Sequence, residues 1–303
     1  MAIRVAVAPA QLQTNADLLA VLCDEESLTE GSTIAELDRA LAGSLQRTIA
    51  DDRWKAKPNS TLSLQTLGHL PANRLALVGI GARGSVDVAR LRTAAGRAAR
   101  LAGSCGARSL AIFVPATAAS PEAAAALTEG ALLGAYRFDK YLSEEKRPTR
   151  ALTDVTLLIG TESSELAAAV RRGSTVAEAV ARARDLVNEP AGYLTPARLA
   201  EITRERAVPG LNVTVLHPEE CRRENMGLFL AVGQGSAEEP RFIHVAWKPE
   251  KAKKRVVLVG KGVTFDSGGL SLKTNDGMLD MKTDMAGAAP VLAQHARPGA
   301  ALH

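Results

Sequence analysis

The sequence predicts an α/β fold built as two domains, and three observations lead there. Short apolar runs suited to buried strands alternate with longer stretches of helical period, the pattern of βαβ units on a largely parallel sheet. The chain has 303 residues, beyond the roughly 250–300 at which a single core stops growing. Alanine is abundant and only 3% of residues are aromatic, which favours helix-rich packing over an all-β fold.

Taken in order, residues 5–7 form a first strand, and residues 33–45 place Ile34, Leu37, Leu41 and Leu45 on one helical face. A strand at 75–78, an Ala- and Arg-rich helix at 86–102, a strand at 109–114, a helix at 121–136 opened by Pro121 and a strand at 155–159 follow. Thr175 and Glu178 have the spacing of a capping box, opening a helix that runs to about residue 187 and breaks at Asn188-Glu189-Pro190. The domain boundary is expected between residues 161 and 174, giving an N-terminal α/β domain at 1–165 and a second domain at 166–303. In the second domain the pattern predicts helices at 196–207 and 219–226, and strands at 213–216, 228–232, 242–246 and 256–259.

Hydrophobic residues make up 46%, charged residues 23%, and the net charge is +4, the values of an ordinary soluble globular protein. The densest basic stretch, residues 248–255, leads into the apolar run 256–259 and reads as a solvated loop before a strand. No aromatic side chains interleave with its charges, which argues against nucleic acid as a partner. Cys23, Cys105 and Cys221 are odd in number and far apart, so they read as buried or half-buried free thiols in a reducing compartment. His69, His217, His244, His295 and His303 lack HxxxH or HxH spacing, which argues against a His-based zinc site. There is no signal-peptide h-region and no apolar run near the roughly 18 residues a membrane span needs. A cytoplasmic address is expected.

Two glycine-rich stretches call for a chemical reading. Gly79-Ile80-Gly81-Ala82-Arg83-Gly84 fits GxGxxG after a strand and before a helix. A dinucleotide site, however, wants a carboxylate at the end of the next strand, and that strand ends in Pro115. A tight strand-to-helix turn is the better reading. The second stretch begins at Lys261, just past the expected strand 256–259, where ligands bind in open α/β sheets. Asp266 and Asp284 bracket a Gly-rich loop that also carries Lys273. Two carboxylates in a partly buried loop suit hard divalent cations, which relieve the cost of burying like charges together. A lysine amine ligates a metal only when neutral, a form that burial and a nearby dication favour. A second, charged lysine can stabilise an oxyanion. Singly, Asp266 fits a turn residue, Asp284 a helix cap and both lysines a solvated surface. Together they suggest a divalent-metal hydrolase or a phosphoryl-transfer site.

The segment VGKGVTFDSGGLSLK (residues 259–273) followed by MKTDMAGAA (281–289) resembles the metal-binding core of the leucyl aminopeptidase (cytosol aminopeptidase) family. EGALLGAY (129–136), RDLVNEP (184–190) with Leu194-Thr195-Pro196, and MGLFLAVGQGSAEEP (226–240) agree with it. The resemblance covers nearly the whole chain up to about Leu292. It implies an N-terminal α/β domain before a peptidase domain that holds two metals, usually zinc, with manganese or magnesium possible at one site. It further implies a hexamer in the cytosol, peptide substrates, and release of amino-terminal residues by metal-assisted hydrolysis. By position, Lys261, Asp266 and Asp284 match metal ligands, with Asp266 as the bridging carboxylate. Lys273 matches the catalytic lysine that stabilises the oxyanion, and Met281 matches a substrate-pocket position.

The family's later Asn-Thr-Asp-Ala-Glu-Gly-Arg segment supplies further metal ligands and an assisting arginine, and has no counterpart here. After Ala289 the register is lost, and Pro298-Gly299 would break the continuing helix. The resemblance therefore implies a C-terminally truncated peptidase domain, incomplete and poorly active in this chain. The alternative is a non-catalytic remnant that binds a nucleotide or nucleic acid.

Overall fold

Leu18–Asp24, with the sequence LLAVLCD, is buried at every position and forms β2, the strand around which the first sheet is built. Its side chains alternate between two cores. Leu18, Ala20 and Leu22 join one, while Leu19, Val21 and Cys23 join the other. A strand apolar on both faces belongs inside a parallel sheet covered on both sides. The structure, a computed structural model, describes residues 3–293 apart from Gly31 and Pro148. The tail carrying Pro298-Gly299 lies outside the described residues. The chain divides into two compact units, Met1–Glu178 and Ala179–His303.

In the first unit β1 (Arg4–Ala8), β2, β3 (Thr61–Gln65), β4 (Arg74–Gly81), β5 (Ser109–Phe113) and β6 (Asp154–Leu158) form one sheet in the order β1-β6-β5-β2-β4-β3. All pairings are parallel except β3 with β4, at the edge. Three helices, α1 (Ser27–Glu30), α2 (Ser32–Ala40) and α3 (Ser44–Asp51), precede β3. The expected helix at 33–45 is thus two helices, broken where Ala42 and Gly43 adopt φ of 51° and 80°. Its apolar face nevertheless holds, since Ile34, Leu37, Leu41 and Leu45 are all buried in one core. The other face is covered by α4 (Val88–Ser104) and α5 (Pro121–Ala135), capped by the side chains of Asp87 and Ser120. Each fully buried leucine contributes about 1.5–3 kcal/mol of transfer free energy.

Two glycines of the GxGxxG turn, Gly79 and Gly81, are set by packing within the chain. A Cβ on Gly79 would lie 2.2 Å from the Lys57 carbonyl oxygen, and one on Gly81 2.9 Å from Pro58. The close approach that a dinucleotide would need is taken up by residues 56–60. Arg83, in the same turn, pairs with buried Asp24 at 3.1 Å. Burial alone would raise the Asp24 carboxyl, but the hydrogen bonds from Arg83 and Ser27 outweigh it and hold it below the usual carboxylate range. Cys23 and Cys221 are buried free thiols, whereas Cys105 is exposed.

Helix α6 spans Ser164–Asn188, and the division between the two units falls inside it. The capping box expected at Thr175 is corrected, because Thr175 lies mid-helix with its hydroxyl donating to the Arg171 carbonyl at 2.9 Å. Ser163 is the residue whose side chain accepts from the first turn, from Leu166 N at 3.2 Å. A Ser/Thr-x-x-Glu spacing within a helical run is satisfied equally well by such back-bonding.

The second unit contains α7 (Pro196–Glu205), β7 (Leu211–Leu216), α8 (Pro218–Arg223), α9 (Gly227–Gly233) and β8 (Phe242–Trp247). It ends in α10 (Asn275–Met278) and α11 (Ala288–Ala293). β7 and β8 pair antiparallel. Its core cluster is small: Leu186, Leu194, Leu199, Met285 and Ala289. Two strand expectations fail here. Residues 228–232 are helical within α9, as short apolar runs fit either element by periodicity. Residues 256–259 carry no regular structure and pair with no strand among the described residues, and Val256 and Val259 are 75% and 90% exposed. A strand needs a ladder partner, and none lies beside it. Val257→Asp should therefore shift the stability of this chain by no more than about 0.5 kcal/mol, as for an ordinary surface change. A loss above about 2 kcal/mol in a denaturant melt would mean that the segment is packed after all.

Candidate metal centre

The segment after Val259 turns back onto the start of α11. A Cβ on Gly260 would lie 2.4 Å from the Gly287 carbonyl oxygen, and Ala288 N donates to the Lys261 carbonyl at 2.8 Å. That contact fixes Lys261 next to the turn at Met281–Met285, a single 3-10 stretch whose last residue is anchored in the small core. From this turn Asp284 presents its carboxylate, with Oδ2 2.8 Å from Lys261 Nζ. The same buried oxygen receives no well-aligned hydrogen bond. The ion pair is short, but its geometry is not that of an aligned hydrogen bond.

Asp266 and Lys273 come together across a tight loop. Gly268, at φ 92°, lets the chain fold back so that it bridges Leu272, and a Cβ there would strike the Ser271 carbonyl oxygen. Asp266 Oδ1 accepts from Gly268 N at 2.9 Å, and Oδ2 lies 3.1 Å from Lys273 Nζ. The Gly268 amide first, then Lys273, hold the Asp266 carboxyl below its ordinary range. The charge of Lys261 adds in the same direction, so all four residues belong to one electrostatic cluster. Met281, half-buried, opens the turn that ends beyond Asp284.

The structure thus gathers Lys261, Asp266, Lys273 and Asp284 into two lysine–carboxylate pairs. Among the described residues no group of three or more His, Cys, Asp or Glu side chains could hold a metal. The donor set fits a hard divalent cation in kind, with two carboxylates and one amine, and the unaligned Asp284 oxygen is what a cation would satisfy. In number it falls short of a full shell. The sequence reading missed Lys282, whose Nζ donates to the Asn188 carbonyl at 2.8 Å. The helix-breaking Asn188-Glu189-Pro190 was the available signal, since it leaves carbonyls at the end of α6 for other donors.

Comparison with known proteins bears on both units. The cytosol aminopeptidase family's N-terminal domain model matches residues 19–145, and its catalytic domain model matches residues 181–299. The chain belongs to the cytosol aminopeptidase family. A probable cytosol aminopeptidase of Geobacter sp. (strain M21) is 42% identical over 276 residues, covering 90% of this chain and 56% of the relative. One from Roseiflexus castenholzii is 43% identical over 261 residues, covering 84% and 54%. This family member therefore spans about half the length of the curated relatives it matches. Among solved structures, a mutant of tomato leucine aminopeptidase superposes with a TM-score of 0.82 at 29% identity, over 97% of this chain and 59% of that one. The bottromycin maturation enzyme BotP in complex with Mn does so at 0.72 and 33%, over 92% and 55%. The family is one of hydrolases, and no helix among the described residues is long and apolar enough to cross a membrane.

Proposed function

We propose that this chain carries the metal- and lysine-bearing part of an aminopeptidase that releases amino-terminal residues from peptides. The observation that carries the reading is the cluster of Lys261, Asp266, Lys273 and Asp284, two carboxylates meeting two lysines on loops that glycines hold tight. Asp266, Asp284 and the Lys261 amine would hold the divalent cations, zinc or manganese. Lys261 would ligate only as the neutral amine, so its ammonium proton and its ion pair with Asp284 would be given up. When bound, the cations supply Lewis acidity and lower the pKa of the attacking water. Lys273, whose ammonium reaches over the same loop, places positive charge where the scissile carbonyl oxygen becomes an oxyanion. Met281 would line the pocket for the first side chain of the substrate. A cytoplasmic address, a homohexamer and a division near residue 165 between an N-terminal domain and the peptidase domain complete the proposal.

The metal assignment has a direct test. Calorimetric titration of Mn²⁺ into the full chain should show binding, at least about 10-fold weaker in Asp266→Ala, the loss expected when a coordinating or orienting group is removed. Equal affinity in the two proteins would take Asp266 out of the site.

A further inference from the structure

We infer that Lys282 is a positioning residue, pinning the turn that carries Asp284 to the end of α6. The inference rests on the metal reading of Asp284 and names a residue that reading leaves unused. Its Nζ donates to the backbone oxygen of Asn188 at 2.8 Å, a part-buried bond across 94 residues of sequence. It thereby adds a polar tie between RDLVNEP and MKTDMAGAA, two motifs that already share the small core through Leu186, Met285 and Ala289.

The chemistry of the acceptor explains the pairing. The last carbonyls of a helix have no partners within the helix and lie at the negative end of its dipole, where an ammonium is favoured. Pro190, two residues on, has no N–H to donate back to this turn. Asn188 O is therefore an acceptor built into the chain by the helix break.

The donor end is equally specific. Met281–Met285 is one short 3-10 stretch, closed by Thr283 N and Thr283 Oγ1 donating to the Asp280 carbonyl at 2.9 and 2.6 Å. Such a turn is weak alone. Met285 holds it in the small core, which α6 enters through Leu186, and Lys282 adds a polar tie to the end of α6. Asp284 lies between these two anchors, and its Oδ2 faces Lys261.

Position and charge make opposite predictions, which gives the test its sign. Lys282 is a cation near a site for cations, so by Coulomb repulsion alone its removal should tighten metal binding. If it positions Asp284, removal should weaken binding. Mn²⁺ is titrated calorimetrically into the full chain, Lys282→Met, Lys282→Arg and Asp284→Asn, and amide exchange is followed without metal. The expected result for Lys282→Met is about 10-fold weaker Mn²⁺ binding, with faster exchange confined to residues 281–286. Lys282→Arg, which keeps a donor, should recover most of both. Asp284→Asn should lose affinity while its turn exchanges as in the wild type. Unchanged or tighter binding in Lys282→Met overturns the inference, and so does faster exchange across the whole second unit, which would mark a merely structural role. If the wild type binds no Mn²⁺, the metal reading fails by itself. The metal-free exchange then still decides whether Lys282 holds the turn, since unchanged exchange at 281–286 overturns it.

Discussion

Saturated with zinc or manganese, this chain is expected to hydrolyse a leucine anilide at least about 10³-fold more slowly than a full-length relative of the family. The bound follows from what one group can supply. Removing a single oxyanion donor from a working enzyme costs about 10²–10³ in rate, or roughly 3–4 kcal/mol. Lys273 can therefore supply no more than that alone, against total accelerations of about 10⁶ or more. The remainder depends on an activated water and a clamp on both oxygens of the displacement, which need cations held in a complete shell. Here two carboxylates and an amine stand alone, with no group of three or more acidic, His or Cys ligands among the described residues. Fusing to this chain the part of the Geobacter relative that it does not match should raise turnover by several orders of magnitude. Lys273→Ala in the fusion should then lower kcat by about 10²–10³ with little change in KM, since an oxyanion contact exists only in the transition state. Strong metal-dependent turnover by the unfused chain, abolished by Lys273→Ala, would show that its site is completed in another way.

The segment at 256–259 belongs to the same picture. Its four apolar side chains are exposed, and β7 and β8 form only a two-stranded sheet. The sequence read this run as a buried strand because composition reports what a segment is suited to, whereas pairing depends on which other strands are at hand. The sheet of the first unit was more legible. β4, β5, β6 and the helices α4 and α5 show as apolar runs and caps. β2 escaped because its apolar run LLAVLC has no alternation, and periodicity alone does not tell such a run from a buried helix. In the site, the loop motifs named Lys261, Asp266, Lys273 and Asp284, since glycine spacing and chemistry are local. The pairing of Lys261 with Asp284 and the tie from Lys282 to Asn188 are tertiary contacts; the break at Asn188-Glu189-Pro190 marks the acceptor end of the second, but no local pattern names the donor.

Gly130→Ala should destabilise the first unit by about 2–4 kcal/mol, although helix propensity predicts the opposite. Gly130 lies inside α5, where alanine is favoured over glycine by about 1 kcal/mol. The space decides otherwise. A Cβ on Gly130 would lie 2.0 Å from the Arg92 carbonyl oxygen and 2.8 Å from its carbonyl carbon, both backbone atoms of α4. One turn on, Gly134 meets Gly96 in the same manner, with 2.5 Å to its oxygen. Backbone cannot rotate away as a side chain can, so the two helices must separate. Separation loosens the core that Leu91, Ala95, Ala98, Ala124 and Leu127 share with the sheet, and overpacking of this sort costs about 1–3 kcal/mol or more. It also pulls apart the Arg92–Glu129 ion pair, a minor loss because Arg92 is partly exposed. Gly103→Ala is the matched control, in α4 with nothing within 4 Å of its Cβ, and it should be neutral or stabilising by up to about 1 kcal/mol. Urea melts of the two variants should move in opposite directions from the wild type. If Gly130→Ala matched or exceeded Gly103→Ala in stability, the close approach of α4 and α5 would not be what EGALLGAY encodes.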